Sequence, residues 1–304
     1  MTPRVHSLAI PAHGAAVPTP TGTAAPTPRR SVAPTAAAAP VAGPSGTNAT
    51  PGARRIAAAF EGAAADGRAA LIPYVVAGYP DRDTSSAVAL AAVDAGADLL
   101  EVGLPYSDPL ADGATLDSSV ELIRAIAAAR PAVPLVPMCY ANQIIGGGDG
   151  RAVATRLAEA GASGVIVADL TPDEGVRFES VAREVGLAVV YLIAPTSTPA
   201  RRAEVARRSG GFLYCVSLVG VTGARTSLPP SVKGLVAAAK ADSPVPVAVG
   251  FGVSKPAHVQ MLVRAGADGV IVASALVDAL GPDGRDVPAL SRLVGELRAA
   301  TGRA

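Results

Sequence analysis

Short apolar runs with no regular polar interruption alternate along this chain with stretches whose apolar positions recur every three to four residues. The runs fall at residues 71–76 (LIPYVV), 99–103 (LLEVG), 134–139, 164–168 (GVIVA), 188–194 (AVVYLIA), 212–216, 245–249 (VPVAV) and 269–272 (GVIV). A strand that is apolar at every position is expected where both faces are covered, as in a parallel sheet carrying helices. The intervening stretches 85–95, 118–130, 150–160, 173–185, 199–208, 230–241, 254–265 and 287–299 read as those helices, and 53–66 as one more ahead of the first strand. Such an alternation over about 250 residues predicts a single α/β domain, a (β/α)₈ barrel with an extra N-terminal helix, rather than an open doubly wound sheet. The recurring tag AGAD or AGAS, at 95–98, 160–163 and 265–268, leads into three of the runs. It reads as turn chemistry at the stable, N-terminal face of the barrel.

Residues 1–52 break the pattern. They are almost wholly Ala, Pro, Thr, Gly and Ser, with no acid before Glu61. A segment of that composition cannot bury enough apolar surface to offset its ordering entropy and is expected to be a disordered tail ahead of a domain at 53–304. It lacks the apolar core of a secretory signal, and its prolines oppose an amphipathic transit helix, so an inert tail or an upstream translation start is expected. The whole chain is half apolar with a net charge of +1, which gives no electrostatic case for nucleic acid or a membrane surface. Cys139 and Cys215 sit in strand-like runs and are expected to be buried, reduced thiols of a cytoplasmic protein. His6, His13 and His258 have no metal-ligand spacing, so no metal is expected.

Chemistry concentrates in the stretch 99–113, LLEVGLPYSDPLADG. Glu101 is a lone carboxylate in a dry strand, costly unless paired, protonated or used. At the C-terminal end of a barrel strand it is a candidate acid or base with a pKa raised by burial. Asp112 lies on the following loop, eleven positions on, and can converge on the same cleft, whereas Asp108 precedes a proline and reads as a turn-former. Asp169, ending the fourth run, is a candidate anchor behind the site. Tyr74 and Tyr214, within strands, are either plain core or the walls of an aromatic slot. Three glycine-bearing turns or helix starts follow the last strands, at 217–227 (with Thr222 and Gly223), 250–254 (with Gly252) and 273–274 (with Ser274). Each alone is an ordinary turn; together, in that order, they point to a phosphate site.

These motifs resemble the tryptophan synthase α subunit family. EVGLPYSDPLADG, PYVVAGYPD (73–81), MCYAN (138–142), VADL (167–170), APTSTPAR (194–201), GFLYCVSLVGVTGAR (211–225) and GFGVS (250–254) occur in the family's order over about residues 53–300. The resemblance implies cofactor-free retro-aldol cleavage of indole-3-glycerol phosphate to indole and glyceraldehyde 3-phosphate. It implies Glu101 as the acid/base at the indole ring carbon and glyceryl hydroxyl, and Asp112 as acceptor of the indole N–H. Tyr74, Met138 and Tyr214 would line the indole pocket, and Thr222 would orient Asp112. Gly223, Gly252 and Ser274 would bind phosphate, and a β subunit would complete an α₂β₂ assembly. The chain also departs from the family. Between Gly113 and Met138 it has room for one helix where the family carries a longer loop and an additional helix, on ground that faces the β subunit. Ala114, Asp117, Thr171 and Ala273 stand where the family has Pro, Gln, Pro and Gly. Two alternatives follow from these departures: a stand-alone indole-releasing lyase, and a weakly catalytic homologue acting as a ligand-binding regulatory partner.

Overall fold

The computed structural model describes residues 50–105, 113–146, 148–216, 230–250 and 252–303. Their strands are β1 (Ala70–Val76), β2 (Leu100–Gly103), β3 (Leu135–Cys139), β4 (Gly164–Val167), β5 (Ala188–Val190), β6 (Leu192–Ile193), β7 (Leu213–Val216), β8 (Val247–Gly250) and β9 (Gly269–Val272). Among the described residues all the strand ladders are parallel, in the order β5-β4-β3-β2-β1-β9-β8-β7-β6. Helices connect successive strands, so this is the expected (β/α)₈ barrel, with one difference. The fifth apolar run is broken at Tyr191 into β5, which pairs with β4, and β6, which pairs with β7. One run thus closes the ring by giving each half to a different neighbour.

The break has a local cause. The Tyr191 N–H donates to Ser209 Oγ (3.0 Å), and that hydroxyl donates in turn to the Phe212 carbonyl (2.6 Å), so a side chain stands where a strand carbonyl would. The Tyr191 phenol points outward and donates to Glu179 Oε1 (2.5 Å), which Arg208 also holds (2.7 Å). Gly175 makes room for it: a Cβ there would lie 2.1 Å from the phenol oxygen.

Alternate strand residues face two cores. Ala70, Ile72, Leu99, Val136, Ile166, Val190, Phe212, Ala248 and Ile271 fill the barrel, while Leu71, Leu100, Leu135, Val165, Val189, Leu213, Val247 and Val270 pack under the helices. The first helix, Pro51–Ala65, starts two residues earlier than predicted because Thr50 caps it, accepting the Ala53 N–H at 3.0 Å. Its Ile56, Phe60 and Ala63 plug the N-terminal mouth and join the interior core. The plug needs close approach: a Cβ on Gly269 would lie 2.7 Å from the Phe60 ring, and one on Gly52 1.8 Å from the Ser163 carbonyl oxygen.

The AGAD tags do belong to this face. Their glycines, Gly96, Gly161 and Gly266, take φ of 109°, 99° and 98°, the left-handed turn that ends a helix. Asp98 then accepts the Leu71 N–H and both arms of Arg68 (2.7 and 2.8 Å), and Asp268 accepts the Val247 N–H (2.9 Å). Each aspartate ties the start of a neighbouring strand.

Between β2 and β3 the described chain has one helix, Gly113–Ala129, beginning five residues ahead of the predicted 118–130. A short helix not predicted from the sequence, Ala141–Ile145, follows β3. Among the described residues no helix is long and apolar enough to cross a membrane.

Candidate active site

The C-terminal ends of the strands form the mouth opposite the plug. Glu101 points into the barrel from β2, directly across from Tyr74 of β1. It is 1 % exposed, and its Oε2 has no hydrogen-bond partner among the described residues. Loss of hydration without compensation pushes its carboxyl up to about 8. At neutral pH the group therefore holds its proton, as an acid catalyst must.

Two tyrosines flank it. Burial first, and then the negative field of Glu101, raises both phenols above their ordinary range, so both stay neutral hydrogen-bond donors. Each ring is seated over a glycine of the next strand. A Cβ on Gly103 would lie 2.0 Å from the Tyr74 oxygen, and one on Gly250 would lie 2.9 Å from both Cε2 and the oxygen of Tyr214. Glycines at the ends of β2 and β8 thus make space for the aromatic walls of the mouth. Met138, half-buried beside Gly103 in the β2–β3 register, packs on the interior core. Tyr140 also raises the Tyr74 phenol, so it belongs to the same cluster; the sequence reading missed it.

The last two loops supply Gly252 and Ser274. Gly252 has φ of 33°, a left-handed conformation suited to glycine. Its turn is held by His258, whose Nδ1 accepts the Ser254 N–H at 3.3 Å. Ser274 begins the helix Ser274–Ala279 after Ala273, and Gly252, Ala273 and Ser274 are all exposed at the mouth. Asp112, Asp108, Thr222 and Gly223 lie outside the described residues.

Asp169 accepts the Ala141 N–H at 2.7 Å and so anchors the short helix after β3. Gln143 in that helix was not singled out by sequence. Its Oε1 accepts the Tyr140 N–H (2.9 Å), and its Nε2 donates to the Pro105 carbonyl (2.9 Å) at the end of the described β2 loop. Asp117 pairs with Arg156, and Thr171 donates to Glu174 (2.9 Å) on the helix it caps, so neither departure is spent on the mouth. Cys139 and Cys215 are free and buried, and burial pushes both thiols up to about 12.

Comparison with known proteins bears on this arrangement. A family model described as tryptophan synthase alpha chain matches residues 60–294. The tryptophan synthase alpha chain of Synechococcus sp. (strain CC9902) is 42 % identical over 237 residues, 73 % of this chain and 87 % of that relative. That of Gloeobacter violaceus is 43 % identical over 245 residues, 76 % of this chain and 88 % of its own length. A solved structure of Mycobacterium tuberculosis tryptophan synthase superposes with a TM-score of 0.73 at 39 % identity, covering 82 % of this chain and 99 % of that one. The tryptophan synthase subunit alpha of Legionella pneumophila str. Paris superposes with a TM-score of 0.71 at 30 % identity, covering 81 % and 98 %.

Proposed function

The chain belongs to the tryptophan synthase alpha chain family, and on that premise we propose how its residues carry out retro-aldol cleavage of indole-3-glycerol phosphate. The observation that carries the reading is Glu101: a carboxyl 1 % exposed, with an oxygen unpartnered among the described residues, between two phenols at the mouth of the barrel.

Glu101 gives its proton to C3 of the indole ring. The ring becomes an indolenine, and Asp112 accepts the hydrogen bond of its N–H, stabilising the positive charge that develops. The Glu101 carboxylate then takes the proton of the hydroxyl on the adjacent glyceryl carbon. That carbon becomes an aldehyde, the carbon–carbon bond breaks, and its electron pair restores the indole double bond. One proton leaves Glu101 and one returns, so the enzyme ends as it began and the chemistry calls for no cofactor.

Tyr74, Tyr214 and Met138 pack against the indole, which is flat and apolar like the slot they line. Thr222 orients Asp112. Gly223, Gly252 and Ser274 bind the phosphate at the far side of the mouth with backbone and hydroxyl donors. Ala273 adds a methyl group beside that donor set. A tryptophan synthase β subunit is the expected partner, docking on the face that includes the loop after β2.

Indole release by the purified protein, with and without a β subunit, tests the reading. Strong stimulation is expected, and Glu101→Gln is expected to lose at least about a hundredfold in rate while still binding substrate. Fast cleavage indifferent to β would make the protein a stand-alone lyase, consistent with the single helix between β2 and β3 among the described residues. Cleavage by Glu101→Gln at the parent rate would remove Glu101 from the mechanism.

A further inference from the structure

Gly252 and Ser274 follow neighbouring strands. Val249 of β8 pairs with Val270 of β9. Three residues beyond that rung stand Gly252 on one strand and Ala273, just ahead of Ser274, on the other, all exposed at the mouth. Ser274 is held by the helix it begins. Gly252 lies instead in irregular chain between β8 and the helix Pro256–Arg264, with φ of 33°. A backbone donor serves an anion well only where its direction is fixed beforehand.

Two pins lie just downstream of Gly252. The Val253 side chain is buried in the core under the helices. Ser254 then donates its N–H to Nδ1 of His258 at 3.3 Å, and its hydroxyl lies 3.5 Å from the same nitrogen. A backbone N–H can only donate, so Nδ1 presents its lone pair. His258 is itself buried, and its own N–H bonds the Lys255 carbonyl at 3.0 Å, which seats it in the first turn of the helix. Lys255, at the head of that helix, makes no capping bond with its side chain. His258 reaches back past it to Ser254, like the return arm of a capping box displaced by one residue. The imidazole thus ties a rigid helix to the chain two residues after Gly252.

We propose that His258 is a positioning residue for phosphate binding, acting through the Ser254 N–H to fix the Gly252 turn against the ligand. The proposal rests on the assignment of Gly252 to the phosphate site. With Val253 seated in the core and Ser254 held, the peptide that follows Gly252 keeps one orientation. Alanine at 258 leaves the turn only its apolar pin, and the Ser254 N–H goes to water. Asparagine is the conservative variant, because its Oδ1 can stand where Nδ1 stands and accept the same N–H.

Titration calorimetry of the full chain with glycerol 3-phosphate, a phosphate monoester without an indole, tests this with no need of turnover. It reads affinity and number of sites separately. His258→Ala is expected to raise the Kd about tenfold, the scale of one misdirected hydrogen bond to a charged group, with the number of sites unchanged. His258→Asn is expected to stay within about threefold of the parent, since it restores the acceptor. A merely structural role would lower the number of sites and leave the Kd alone, which overturns the proposal. His258→Leu, which keeps bulk in the buried position but offers no acceptor, decides the matter if His258→Ala does not fold. Gly252→Ala, strained at φ of 33°, is expected to weaken binding through the turn itself. A parent-like Kd in His258→Ala beside a weakened Gly252→Ala, or an asparagine variant as weak as the alanine one, overturns the role of His258 and leaves the phosphate assignment standing. A parent-like Kd in Gly252→Ala, or a parent that does not bind glycerol 3-phosphate, would instead overturn that assignment, and this role for His258 with it.

Discussion

The carboxyl of Glu101 holds a proton near neutral pH because burial has taken away its water, and among the described residues its Oε2 has no donor in exchange. This has a consequence for stability with a definite sign. Burial raises the carboxyl from 4.5 to about 8 in the folded protein. Between those values the folded state binds a proton that the unfolded chain has already released, so stability falls as pH rises across that window and the loss is complete above about 8. Glu101→Gln removes this titration. Its Tm should therefore gain on the parent's as pH rises from 4.5 to 8 and run parallel to it beyond. Thermal unfolding of both proteins at a series of pH values checks this, and a constant gap would mean that Glu101 is charged in the folded state well below pH 8. The residue was conspicuous in the sequence as the one acid inside an apolar run. Gln143 and Tyr140 were not, because side-chain contacts between loops 38 positions apart leave no periodic trace.

At the scale of elements, the first helix shows how a feature can be legible as structure and silent as packing. Its apolar spacing announced a helix, yet nothing in that spacing said that it would fill the floor of the barrel. That follows from glycines elsewhere, at Gly52 and Gly269, whose missing side chains make room for it. Phe60 is the centre of the plug, 4 % exposed and 5.7 Å from the Phe212 ring. Truncation to alanine would leave a hole that strands on all sides hold open. We expect Phe60→Ala to cost about 3–5 kcal/mol in urea unfolding, with residual folded protein keeping its catalytic rate because Glu101 is at the opposite mouth. A loss under 1 kcal/mol would show that the floor closes over the gap, and a slowed turnover at full folding would show that the floor and the site are one unit. The strands were equally one-sided in what they told. Continuous apolar runs located them and fixed their parallel order, but concealed which residues face inward, since both faces are dry.

For the whole molecule, alternation of strand and helix was enough to reach the barrel. What stayed hidden is how the cylinder is closed. The run at 188–194 has no residue that signals an interruption, because the interruption depends on Ser209, from a later turn, intruding on the ladder. A hydroxyl differs from a carbonyl as a rung: it can swivel, and it donates as well as accepts, so it can follow a neighbour that slides where a rigid peptide would have to let go. The cylinder therefore has an expansion joint, set across the ring from β1 and the wall that carries Tyr74. Deuterium uptake should reveal it as an earlier exchange of the Tyr191 amide than of Val102 in β2, and simultaneous exchange would mean a ring of uniform stiffness. A bore that yields on one side can take up the strain of filling and emptying while the carboxyl on the other side stays where it was.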